Sequence, residues 1–216
     1  MRFLRCTLWV RIAPLACCTL LHTGFAATLI TGVDESASGV QHFSVNNYHG
    51  YEFSLASPVI VTALGWYDFG ADGLAGNTPV GFWDLGHNLL ASVTVPAGAT
   101  DPLINGFRMH DLSSPLTVAP GTYILAGGTQ GTDQYLLSST NFSFVSFDPR
   151  VTWIQERWKG GNTPGFPVNT TTNFALFGPN AVFGDAPEPG SLQLIALGSL
   201  LVIGASILRH SRTRAA

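Results

Sequence analysis

The chain has 216 residues, room for one ordinary domain and two targeting segments, and its 13 carboxylates outnumber its 10 lysines and arginines. Six of the cations lie at the ends (Arg2, Arg5, Arg11, Arg209, Arg212, Arg214), so the stretch 27–186 keeps four cations against twelve carboxylates, a net charge of −8. Such a surface repels phosphate backbones, which excludes nucleic acid as a partner, and the three cysteines (Cys6, Cys17, Cys18) leave no disulfide or cysteine metal site beyond residue 18.

The first 26 residues have the three parts of a signal peptide. A basic start carries Arg2, Arg5 and Arg11, an apolar run spans 12–21, and small residues stand at Gly24 and Ala26. Cleavage is expected after Ala26. A lipoprotein site at Cys18 fits poorly, because Cys17 precedes it and the apolar stretch before it is short.

From 27 to 185, short apolar runs alternate with Gly, Pro, Asn and Asp, and no stretch sustains helical periodicity. Strands are expected at 51–55, 59–67, 80–84, 89–95, 107–112, 116–118, 123–126, 142–147 and 174–177. The run Val59-Ile60-Val61-Thr62-Ala63-Leu64 is rich in β-branched residues, and Ser92-Val93-Thr94-Val95 alternates with period two. Ala119-Pro120-Gly121-Thr122 is expected to form a type II turn that joins its flanking strands as a hairpin. The fold class is therefore all-β, an antiparallel β-sandwich or jelly roll.

Four constellations bear on chemistry. No Gly-x-Ser-x-Gly elbow and no cysteine outside the leader supplies a nucleophile, and His42, His49, His87 and His110 lack metal-ligand spacing. Asp68 and Asp72 flank the glycine loop at 69–77 and Asp84 closes the next strand. These three are candidate Ca²⁺ ligands, or candidate acids of a secreted polysaccharide hydrolase, set against the plainer reading of turn aspartates bonding their own backbones. Trp66 and Trp83 lie in apolar strands and are expected in the core. Trp153 and Trp158, in a polar stretch with Arg150, Arg157 and Lys159, are the candidate carbohydrate-binding residues.

The segment 186–216 reads Ala-Pro187-Glu188-Pro189-Gly190, then 191–208 without a charge, then an arginine-rich end. Eighteen helical residues rise about 27 Å, just enough to cross a hydrocarbon core, and the terminal arginines would hold that end in the cytoplasm. This order resembles the PEP-CTERM tail, a sorting signal of Gram-negative bacteria that make exopolysaccharide. The resemblance implies that a membrane transpeptidase of the exosortase kind recognises Pro187-Glu188-Pro189 and processes the chain there, with delivery to the cell surface or matrix. A permanent single-pass anchor is the alternative. Val61 through Asp68, Val80-Gly81-Phe82-Trp83-Asp84, Leu89-Leu90-Ala91-Ser92, Gly106-Phe107-Arg108 and Pro120-Gly121-Thr122-Tyr123 together resemble a bacterial β-sandwich domain of uncharacterised function, which brings no catalytic residues. The expected function is a structural or adhesive protein of an exopolysaccharide layer, with a carbohydrate-binding module and a secreted hydrolase as alternatives.

Overall fold

The computed structural model describes residues 27–37, 40–138 and 143–186. Its strands are β1 (Ala27–Thr28), β2 (Ile30–Val33), β3 (Gln41–Phe43), β4 (Asn47–Leu55), β5 (Val59–Tyr67), β6 (Thr78–Asp84), β7 (Leu89–Val95), β8 (Leu103–Ile104), β9 (Phe107–Val118), β10 (Gly121–Gly128), β11 (Tyr135–Ser138), β12 (Val145–Phe147), β13 (Val151–Gly160), β14 (Asn169–Thr171), β15 (Ala175–Phe177) and β16 (Pro179–Asp185). Among the described residues the only helical element is a 3₁₀ turn at Phe69–Ala71.

Two antiparallel sheets dominate, one in the order β1-β16-β5-β9-β8 and one in the order β14-β13-β4-β10-β6-β7. Two smaller sheets, β15-β11-β3 and β12-β2, complete the fold. The apolar, β-branched β5 is central because both its edges are paired and most of its side chains are buried. Its Trp66 crosses the gap to the six-stranded sheet, with its indole against His49 of β4 at 5.2 Å between ring centroids. Gly127 of β10 makes room for that ring, since a Cβ there would lie 2.6 Å from the indole. Phe53, Phe82, Tyr51 and Phe177 fill the remaining core with edge-on and tilted ring contacts. The fold is thus all-β and sandwich-like.

Strands β5 and β7 run over 59–67 and 89–95, as expected from the sequence. The turn at 119–122 is a correction. Gly121 does not take the positive φ that a type II turn requires, and it begins β10 of the six-stranded sheet, whereas β9 belongs to the five-stranded one. The connection crosses between sheets instead of closing a hairpin. The two short strands expected at 107–112 and 116–118 are one strand, interrupted in its pairing by a bulge that sets Val61 opposite Leu116 and Ala63 opposite Asp111. A two-residue hairpin does occur at Asn105-Gly106, where both residues have positive φ (53° and 86°) and connect β8 to β9.

Strands β1 and β16 pair antiparallel, Ala27 opposite Phe183 and Thr28 opposite Val182. The first and last strands therefore meet at one edge, and both chain ends leave from the same end of that edge.

Candidate functional site: the outer face of the six-stranded sheet

The register of the six-stranded sheet fixes which residues face away from the core. On β4 these are Tyr48, Gly50 and Glu52. They lie beside Gln155, Arg157 and Lys159 of β13, Ile124 and Ala126 of β10, and Gly81 and Trp83 of β6. Such a face usually meets water, yet Tyr48, Trp83, Ile124 and Ala126 are buried in an apolar cluster of their own, separate from the main core. Small residues make this possible. A Cβ on Gly81 would sit 2.8 Å from Trp83 Nε1 and 3.0 Å from the Tyr48 hydroxyl, so the two large side chains lie down across the sheet only over a glycine.

The cover is the loop 161–168, which folds back from β13. It is tied down by Gly161 N–H donating to the Asn46 carbonyl (3.1 Å), by Lys159 Nζ donating to the Thr163 carbonyl (2.9 Å) and by Asn162 reaching Gln130 (3.2 Å). The loop lays Phe166 edge-on to Trp83 at 6.0 Å, flat on His87 at 3.7 Å, and beneath the Arg157 guanidinium at 5.9 Å. Arg157 and Gln155 also bind Glu52, at 2.5 and 2.7 Å, which neutralises the one buried charge on this face. Beyond the loop an open groove of about 220 Å³ remains, bounded by Tyr48, Gly81, Trp83, Leu89, Thr94 and Pro164. Burial pushes the Tyr48 phenol well above its ordinary range, so it stays a neutral hydroxyl beside the Trp83 indole N–H. Apolar walls with scattered hydroxyls, and no carboxylate among the bounding residues, suit a neutral, hydroxyl-rich ligand held by stacking and hydrogen bonds; they offer no acid-base pair.

Of the aspartates singled out in the sequence, Asp68 and Asp84 hold turns together. Asp68 is buried, accepts from Arg108 Nε at 2.7 Å and receives the Gly73 N–H at 3.1 Å. Asp72 is exposed at the next turn. Asp84 accepts from both the backbone N–H and the side-chain amide of Asn88, at 2.9 and 2.8 Å, and the side-chain bond above all holds its carboxyl below the ordinary range. Among the described residues no three His, Cys, Asp or Glu side chains converge to hold a metal ion.

Trp153 and Trp158 do not share a solvent-facing platform. The stretch read as polar lead-in to a loop is the ten-residue strand β13. Trp153 stands opposite Phe53 and Trp158 opposite His49, the side of the sheet turned toward the core, and both are half-buried. Trp66 and Trp83 are buried as expected, Trp83 in the outer cluster. Ala26, the motif Pro187-Glu188-Pro189 and the apolar segment 191–208 lie outside the described residues. Among the described residues no helix is long and apolar enough to cross a membrane.

Four residues have places in the fold that the sequence does not announce. Tyr48 and Phe166 join Trp83 only through sheet register and a folded-back loop, and no short-range pattern announces that. His49 and Glu156 are polar residues at inward positions of β4 and β13; period-two alternation places His49, whereas a bulge between Trp153 and Gln155 shifts the alternation of β13 and turns Glu156 inward. His49 is fully buried against Tyr135 at 3.9 Å, and burial lowers its pKa to about 3. Glu156 is equally buried, and desolvation raises its carboxyl far above the ordinary range although Leu176 N–H donates to it at 2.8 Å.

Compared with family models and with curated proteins, the chain matches none. The resemblances to a sorting tail and to a bacterial sandwich domain therefore rest on the residues quoted for them.

Proposed function

We propose that this chain is an exported protein of the cell surface or extracellular matrix of a Gram-negative bacterium, structural or adhesive in an exopolysaccharide layer and sorted through its PEP-CTERM-like tail. The observation that supports this most is the pairing of β1 with β16, which sets Ala27 beside Phe183. The described strands, from Ala27 to Asp185, lie between the expected cleavage point and Pro187-Glu188-Pro189. Leader and tail would thus leave the domain side by side, so that both would approach a membrane from one end of the fold. The domain itself, sandwich or jelly roll, carries no role in sorting in this reading.

In cells that possess an exosortase-type transpeptidase, the full chain is expected to yield a mature protein starting at Ala27 and lacking 191–216. Glu188→Ala should retain the tail. Intact-mass analysis of surface fractions checks both, and a wild-type product with 191–216 still attached overturns the sorting reading.

A second reading, carbohydrate binding, gains support from the outer groove and shifts away from Trp153 and Trp158. Saccharide rings present C–H faces to aromatic walls and hydroxyls to groups such as Tyr48 and Thr94. Gly81→Ala raises the groove floor and is expected to weaken saturable binding to the producing organism's exopolysaccharide about tenfold, equivalent to about 1.4 kcal/mol. Trp158→Phe should leave that binding unchanged. Titration calorimetry distinguishes these outcomes, and no saturable binding by the wild type removes the reading.

A further inference from the structure

A sheet edge is a row of unpaired N–H and C=O groups, and proteins ordinarily blunt such edges by shortness, charge, proline or bulges. The outermost strands of the two principal sheets follow this rule except at one place. β1 and β8 have two residues each and β14 has three, whereas β7 has seven, pairs only with β6, and is bulged only at Leu90, so that residues 91–95 run regularly along the edge. Nor is β7 protected by its composition. No Asp, Glu, Lys or Arg occurs from Leu85 to Thr100, and the first proline is Pro96, after the strand has ended. Leu89 is 48% exposed and Leu90 37% exposed along it, and Leu85, in the turn that leads into it, is 48% exposed. Beside its edge runs an open groove of about 330 Å³ between Leu90-Ala91-Ser92 and the bulged Ser113-Ser114-Pro115 of β9.

From this geometry we infer that β7 is a self-association edge, pairing antiparallel with β7 of a second copy of this chain to join two six-stranded sheets into one. Charge selects the occupant. Two domains of net charge −8 repel each other, and the stretch from Leu85 to Thr100 combines a lack of charged side chains with a seven-residue strand edge, so two copies can pair there without opposing like charges. The strand is also complementary to itself. With the two-fold axis at Val93, Ser92 faces Thr94 and Ala91 faces Val95, which puts apolar and small polar residues across every pair and a carboxylate across none. A pairing of this kind is independent of how the tail is processed, and it shares Leu89, Ser92 and Thr94 with the rim of the outer groove.

Amide hydrogen exchange and sedimentation of the full chain in detergent micelles test it. Raising the protein from about 1 to about 100 µM is expected to slow exchange of the β7 amides about tenfold while β14 amides stay unchanged, with sedimentation shifting from monomer to dimer. Ser92→Lys with Thr94→Lys places like charges across the axis and should abolish both effects. Thr94→Lys alone serves as the milder variant, and unchanged protection in β4 and β5 certifies that either variant is folded. A concentration-independent β7 exchange rate in the wild type overturns the inference. So does equal dimerisation of the folded lysine variants, which would locate self-association in the tail.

Discussion

Replacing Arg108 with methionine is expected to lower the unfolding free energy by about 3–5 kcal/mol, the range for stripping one partner from a buried ion pair. The guanidinium holds three segments at once. Its Nε donates to Asp68 at 2.7 Å, one terminal nitrogen reaches the carbonyls of Ala99 and Asp101 at 3.3 and 3.1 Å, and the other reaches the carbonyl of Ala71 at 3.2 Å. The side chains of Arg108 and Asp68 are 9% and 2% exposed, so water cannot replace the lost charge. Methionine keeps most of the packing volume and isolates the electrostatic loss. At roughly 2–4 °C per kcal/mol for a domain of this size, the melting temperature should fall by about 10 °C. Changing Asp68→Asn in the same chain removes the stranded carboxylate and should restore a large part of the loss, a coupling that a double-mutant cycle in urea reads directly. A single Arg108→Met variant within about 1 kcal/mol of wild type would show that the glycine loop is held by its backbone alone.

That staple gives Asp68 a partner from within the chain, where the sequence suggests a calcium ligand or an acid of a hydrolase for Asp68 and Asp72. Acidic residues around a glycine-rich loop have the same spacing whether they gather a cation from solvent or an arginine from the chain, and Arg108 lies forty residues downstream of Asp68. The elements legible in advance were those whose side chains obey one local rule. Val59–Tyr67 is apolar on both faces because it is central, and Leu89–Val95 alternates because one face is exposed. β13 was overlooked because its outward positions carry Gln155, Arg157 and Lys159 while Glu156 breaks the apolar alternation inside. β16 begins with Pro179 and Asn180, residues that read as a loop. Proline is accommodated at the first strand position, and the buried Asn180 amide bonds Ile30 in both directions, at 2.8 and 3.0 Å. The outer cluster needed three distant segments, and only the two-dimensional register reveals that Tyr48, Gly81 and Trp83 share a face.

Stability is expected to be greatest on a plateau between about pH 4.5 and pH 6.5, set by the two polar residues buried on the inner face of the six-stranded sheet. His49 is neutral in the fold, with its pKa lowered by burial to about 3 from 6.5. Below pH 6.5 the unfolded chain gains a proton that the folded chain refuses until about pH 3, so this group removes up to about 1.4 kcal/mol per pH unit on acidification. Glu156 acts with the opposite sign. Burial raises its carboxyl above the ordinary 4.5, so above that pH the folded chain keeps a proton that the unfolded chain releases, and stability falls as pH rises toward the folded pKa. Between the two ordinary values the slopes oppose and cancel; outside them only one acts. Urea midpoints measured from pH 3.5 to pH 8.5 should therefore trace a flat-topped dome. Glu156→Gln, which keeps the shape and loses the titration, should flatten the alkaline side and leave the acid side steep. His49→Phe, which keeps a ring against Trp66 and Tyr135, should do the reverse, whatever each substitution does to absolute stability. An alkaline limb that persists in Glu156→Gln would mean that the carboxylate ionises in the folded state with little penalty, and that the core around Tyr51 and Tyr135 admits water.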